Sequence, residues 1–174
     1  MRLLITGGGG AGTQLLWHEL HDRYDVHFAD ADADAFPPDI PVDRCWTIPL
    51  AGDPAFATEV KALVDQLGTD LLIPGVDEEL PVCERLRMFD GVEVLMPEYR
   101  YLTVMLDKMG SMKWLRDAGI PVPQTNIVKP QHGRGSRGVQ VIQEQLDGPE
   151  YTVTMGSIKV SRLLNRLSGR VASG

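Results

Sequence analysis

The sequence predicts an α/β fold built on a parallel sheet, and three observations carry the prediction. Short apolar runs of strand length alternate with longer stretches whose apolar residues recur at helical spacing. The first run, Leu3-Leu4-Ile5, ends in Gly7-Gly8-Gly9-Gly10-Ala11-Gly12 and passes directly into a helical stripe. The next run, Asp25-Val26-His27-Phe28-Ala29, ends in Asp30, Asp32 and Asp34. A strand, a crossover helix and a second strand in this order run parallel, because the helix carries the chain back to the same end of the sheet.

Each element has its own signal. Leu15, Leu16, His18, Glu19 and Leu20 sit at helical spacing after the glycines. Residues 37–54 hold five prolines and read as a surface crossing, with Trp46-Thr47-Ile48 as a short strand between turns. A helix resumes at Pro54, with Phe56, Val60, Leu63, Val64 and Leu67 on one stripe and Gly68 as its stop. Asp70-Leu71-Leu72-Ile73-Pro74 is a buried strand, Asp77 is placed to cap a helix over Glu78 to Met88, and Val92 to Met96 is the next strand. Beyond residue 97 the pattern changes. Lys108 to Ala118 reads as a helix closed by Gly119, and Ile120-Pro121-Val122-Pro123 as a stiff extended link. Ile127-Val128-Lys129-Pro130 and Val139-Gln140-Val141-Ile142 read as two strands of a hairpin whose tip is Gly133-Arg134-Gly135-Ser136-Arg137-Gly138. The expected domains are therefore residues 1–97 and 98–174.

Composition narrows the function. The chain has 174 residues, 43% hydrophobic and 24% charged, which suits a soluble globular protein with a sizeable core. No apolar run approaches the roughly 20 residues of a membrane helix. A net charge of −7 opposes a phosphate backbone, so no nucleic-acid partner and no membrane partner are expected. Cys45 and Cys83 stand far apart without metal-ligand spacing and read as core residues, as do Trp17, Trp46 and Trp114. Met1-Arg2 lead into an apolar stretch too short for a secretory signal, so the cytoplasm is the expected compartment.

Two glycine loops are candidates for phosphate chemistry. Gly7-x-Gly9-x-x-Gly12 lies between a strand and a helix, with Asp30 and Asp32 ending the next strand, as in a dinucleotide fingerprint. There the free N–H groups and the helix dipole would face a pyrophosphate. The same glycines also serve close packing of helix on strand in many α/β domains. In the second loop, Gly133 to Gly138 lets backbone amides face a ligand, and Arg134 and Arg137 can pair with phosphate oxygens, with Lys129 on the preceding strand. No Gly-Lys-Ser/Thr closes it, so it is not a Walker A loop. Asp77-Glu78-Glu79 resembles a metal cluster but is better placed at a helix N-terminus, and His132 beside the second loop reads as solvated.

The segments Ile127 to Pro130, Gly133 to Val139 and Gln143 to Val153, taken in order, resemble the ATP-grasp superfamily. More narrowly they are similar to short carbamoyl-phosphate-synthase large-subunit-like proteins, and the match extends upstream through Leu72 to Leu80 and Leu106 to Pro123. The resemblance implies a Rossmann-like pre-ATP-grasp domain followed by a partial ATP-grasp α+β domain. It also implies that Lys108 and Lys129 contact ATP phosphates, that Gly133, Arg134, Gly135, Ser136, Arg137 and Gly138 cover them, and that Gln143, Glu144 and Leu146 hold adenine with Glu150 near the ribose. Asn165 corresponds to a magnesium ligand, and Arg166 and Arg137 to catalytic arginines. The implied cofactors are ATP and Mg2+, and the implied partners a small-molecule carboxylate and an amine or other nucleophile. Homodimers are common in the family.

The pattern departs from the family at its end. Leu164-Asn165-Arg166-Leu167-Ser168-Gly169 lacks the proline and the preceding acids of the family's metal-binding element. The spacings from Lys108 to Lys129 and from Glu150 to Asn165 are short for the family, which points to segments missing near Thr125/Asn126, Ile142/Gln143, Thr154 to Ile158 and Asn165/Arg166. The expected activity is an ATP-dependent ligase that activates a carboxylate as an acyl phosphate. The alternatives are an NAD(P)-dependent oxidoreductase or epimerase using Gly7 to Gly12, and a nucleotide-binding module without catalysis. No Tyr-x-x-x-Lys pair supports the oxidoreductase.

Overall fold

In the computed structural model, residues 1–86 and 92–122 are described. They fall into two compact units that divide between Met96 and Pro97. The first unit is a five-stranded parallel sheet: β1 (Arg2–Thr6), β2 (Asp25–Asp30), β3 (Cys45–Thr47), β4 (Leu71–Ile73) and β5 (Glu93–Val94). Helices α1 (Thr13–Leu20), α2 (Phe56–Leu67) and α3 (Leu80–Leu86) connect them, with one 3-10 turn at Val42–Arg44. The order across the sheet is β3-β2-β1-β4-β5. The chain thus winds outward from β1 in one direction, then returns past it to wind the other way. Right-handed crossovers then put α1 on one face and α2 on the other.

Alternation along the strands builds a core on each face. Leu3, Ile5, Val26, Phe28, Ile40 and Leu71 form one cluster, against which Trp17 and Leu20 of α1 pack. Leu4, Ala29 and Leu72 alternate to the opposite face and are fully buried, as are Phe56 and Val60 of α2. Burial of each such large side chain is worth about 1.5–3 kcal/mol, and two-sided burial is what a parallel sheet requires. The stripe read from α2 holds at every position: Phe56, Val60, Leu63, Val64 and Leu67 are all buried. Gly68 ends that helix at φ +62°, with Gly68 N–H on Asp65 O at 3.2 Å and Thr69 N–H on Val64 O at 3.0 Å, which satisfies two terminal carbonyls.

Several boundaries differ from the sequence reading. Helix α2 starts at Phe56, not Pro54, because Asp53 Oδ1 takes the Ala55 N–H at 2.8 Å and turns the chain first. Strand β3 is Cys45–Thr47, not Trp46 to Ile48: Ile48 still donates to Asp30 O at 3.0 Å, but Pro49 has no N–H to continue the ladder. Helix α3 starts at Leu80, not Glu78, since Glu79 N–H bonds Val76 O at 3.0 Å and closes a tight turn. The main-chain carbonyl of Asp77, not its side chain, receives Leu80 N–H at 3.3 Å. Strand β5 is shorter than Val92 to Met96.

In the second unit the described residues form two helices, α4 (Tyr99–Met105) and α5 (Lys108–Asp117). The sequence reading missed α4, whose seven residues carry three aromatic or β-branched residues of weak helix propensity beside Tyr99 itself. Asp107 Oδ1 accepts Gly110 N–H at 3.0 Å and so caps α5, while Gly119 closes it at φ +76° with Ile120 N–H on Leu115 O at 3.0 Å. Trp114 is 53% exposed, which corrects its assignment to a core. The hairpin read around Gly133 to Gly138 and the proposed joins lie outside the described residues. Among the described residues, no helix is long and apolar enough to cross a membrane.

Candidate functional site

In an open parallel sheet the connections before and after a reversal of strand order leave on opposite faces, so a crevice opens at the carboxyl ends of the two strands. Here those strands are β1 and β4, and the loops after them are Gly7 to Gly12 and Pro74 to Glu79. Thr6, the last residue of β1, is buried and links the two. Its hydroxyl accepts Gly75 N–H at 3.2 Å and donates to Glu79 Oε2. Glu79 is itself buried, whereas Asp77 and Glu78 are exposed, so the three consecutive acids point apart. Among the described residues no group of three or more His, Cys, Asp or Glu could hold a metal ion.

The glycines of the first loop pack against protein. Gly7 has φ +69°, and a Cβ there would lie 2.7 Å from Val76 Cγ2. A Cβ on Gly8 would meet Phe28 at 2.8 Å and Phe36 at 2.9 Å, and one on Gly9 would fall well inside 3.0 Å of Ala35. Gly12 alone among the fingerprint positions faces open space, with nothing within 4 Å. Asp30 is also engaged: Oδ2 accepts Gly9 N–H at 2.8 Å and Oδ1 accepts Asp32 N–H at 3.0 Å. In a dinucleotide site the corresponding acid would be turned to a ribose hydroxyl. Here both of its oxygens hold the backbone, and the loop's glycines are explained by close packing. At the head of α1 no side chain caps the helix.

Cys83, behind Glu79, is fully buried, and burial together with the Glu79 carboxylate pushes its thiol up to about 12. It is a core group, not a nucleophile. In the described crevice the N–H groups of Gly8, Gly9, Gly10 and Gly75, the Thr6 hydroxyl and the Glu79 carboxylate bond within the protein and hold the two loops in place.

Of the residues singled out for ATP, Lys108 is the first residue of α5. Lys129, Gly133, Arg134, Gly135, Ser136, Arg137, Gly138, Gln143, Glu144, Leu146, Glu150, Asn165 and Arg166 lie outside the described residues. The sequence reading missed the Thr6–Gly75–Glu79 link. The available signal was a polar residue ending an otherwise apolar first strand, opposite a Pro-Gly pair.

No family model and no curated protein matches the sequence. Among solved structures, the chain is similar to a glycinamide-RNase-transformylase T from Mycobacterium tuberculosis, with a TM-score of 0.56 and 18% identity over 74% of this chain. The two share a fold. The chain spans 38% of the length of that structure. A dTDP-glucose 4,6-dehydratase from Bacillus anthracis, solved with NAD, aligns over 70% of this chain and 52% of its own, at 12% identity and a TM-score of 0.40, too low to establish a common topology.

Proposed function

We propose that the chain serves an ATP-dependent ligase of the ATP-grasp type, in which a carboxylate is activated as an acyl phosphate and captured by an amine or other nucleophile. The observation that carries this reading is the packed first glycine loop. With Asp30 bonded to Gly9 and Asp32, and Gly7 to Gly9 closed against Val76, Phe28, Phe36 and Ala35, these glycines and the acid are accounted for by packing and loop geometry, and the dinucleotide reading loses the specificity of its motif. That leaves Gly133 to Gly138, with Arg134, Arg137 and the upstream Lys129, as the segment whose composition addresses a polyphosphate. Two further points support the reading: the ordered motifs from Leu72 to Val153, and the fold shared with the transformylase.

In this reading residues 1–97 are the pre-ATP-grasp domain and residues 98–174 belong to the ATP-grasp domain, of the carbamoyl-phosphate-synthase-like kind. Lys108 and Lys129 neutralise phosphate charge, Gln143, Glu144, Leu146 and Glu150 hold the nucleoside, and Asn165 contributes to a magnesium site. A carboxylate oxygen attacks the γ-phosphorus and ADP leaves with the bridging oxygen. The nucleophile then attacks the acyl carbon and inorganic phosphate departs. Arg137 and Arg166 stabilise the charge that builds on the transferring group, and positioning with charge neutralisation supplies most of the catalysis.

Calorimetric titration with Mg-ATP and, in parallel, NADH tests the proposal on protein made from the complete gene. Mg-ATP binds, and Lys129→Ala weakens it at least about tenfold, the effect of losing a hydrogen bond to a charged group. NADH binding without ATP binding would transfer the function to Gly7 to Gly12 and the oxidoreductase class.

A further inference from the structure

His27 lies on β2, on the sheet face opposite Phe28, and is buried in a ring of polar groups that the proposed activity does not use. Trp46, on the edge strand β3, gives its indole N–H to His27 Nδ1 at 3.1 Å. An indole nitrogen is only a donor, so Nδ1 must carry the lone pair and the proton of the neutral imidazole must sit on Nε2. Asp25 Oδ1, 3.4 Å from Nε2, is the acceptor on that side; Arg44 Nη1 lies 3.1 Å from Nε2 but is itself only a donor, and its bond goes to Asp25 Oδ1. Arg2, from β1, holds the other Asp25 oxygen through Nε at 2.6 Å. The charged groups around the ring are thus Asp25 on its own strand, Arg2 on β1 and Arg44 at the entry to β3.

We propose that the β2–β3 edge carries a proton-operated latch, in which neutral His27 holds Trp46 and a proton on Nδ1 releases it. A proton on Nδ1 removes the lone pair that the indole N–H bonds and leaves two donors across 3.1 Å, so the bond between the rings is lost. His27 is held from both directions by Asp25 and Leu4's strand, while Trp46 is half-buried on an edge strand of three residues, so the indole moves. Burial sets the threshold below the ordinary histidine value of 6.5, against the opposing pull of Asp25 and with the help of Arg44 and Arg2. The latch therefore stays closed at neutral pH and opens in mild acid.

The test follows the indole N–H resonances and the His27 ring resonance of the full chain from about pH 8 to about pH 5, the range in which histidine charge changes. Trp46 is assigned as the signal missing from Trp46→Phe. As His27 takes up its proton, the Trp46 signal shifts and loses its protection from solvent exchange, with the same midpoint below 6.5. The signal of Trp114 does not follow, and in His27→Gln the Trp46 signal is constant. A stationary Trp46 signal while His27 titrates would overturn the latch. So would the same shift in His27→Gln, a His27 that stays neutral until the chain unfolds, or loss of the Leu4 methyl signals at that midpoint. Wild-type spectra alone decide the matter if the glutamine variant does not fold.

Discussion

Gly75→Ala is the sharpest probe of the crevice, because it adds one methyl group where the loop after β4 lies against the end of β1. The Cβ would fall well inside 3.0 Å of the Thr6 carbonyl oxygen, a backbone atom that cannot rotate away. The strand ends must then part by something on the order of 1 Å to restore ordinary contact. Overpacking of this kind costs about 1–3 kcal/mol, and weakening the Gly75 N–H to Thr6 hydrogen bond adds about 1 kcal/mol. Against this, alanine reduces the entropy of the unfolded chain by about 0.4–1 kcal/mol. The net expectation is about 2 kcal/mol lost, which at an m-value of about 2 kcal/mol/M lowers the urea midpoint by about 1 M. Gly12→Ala is the matched control: it sits in a right-handed helical conformation with nothing within 4 Å, so its midpoint holds or rises slightly. A Gly75→Ala midpoint equal to that of the wild type would mean that the loop after β4 and the end of β1 do not approach as described, and the account of the crevice would fail with it.

Thr6→Val keeps the shape of the side chain but removes the donor to buried Glu79, and urea unfolding should show about 1.5–3 kcal/mol lost. In α5, Gly119→Ala puts a side chain at φ +76° and should reduce stability by about 1–2 kcal/mol, with circular dichroism reporting the lost helix. Acid should act on the first unit in two ranges. Burial pushes His27 below 6.5, so the unfolded chain binds that proton first and stability declines as pH falls from 6.5. Burial would raise Asp25, but Arg2 and Arg44 more than reverse this and hold it at about 2 against an ordinary 3.8. Its contribution is intact above pH 3.8 and is lost as pH falls toward 2, so thermal midpoints of Asp25→Asn should vary less over that range than those of the wild type.

Local patterns made much of the fold legible. The stripe from Phe56 to Leu67 and its stop at Gly68 could be read directly, because amphipathic periodicity and a left-handed terminal glycine are properties of a few adjacent residues. The parallel direction of β1 and β2 followed from one crossover. The start of α3 was misread because Glu79, which has helix propensity, is drawn inward to Thr6, seventy-three positions earlier. Trp114 was misplaced because hydrophobicity alone does not say which side of a helix meets the core.

By itself, then, the sequence determined the α/β class, the glycine turn after the first strand, the parallel direction of the first two strands and the stripe and stop of α2. All of these are written in neighbouring residues or in their order along the chain. Only the tertiary structure decided that the sheet reverses between β1 and β4, that Asp30 holds Gly9 and Asp32, and that His27 meets Trp46, Asp25 and Arg44. Those facts depend on which distant backbones come within a hydrogen bond of each other. That choice is made when the strands pack into one sheet, and no local pattern of residues carries it.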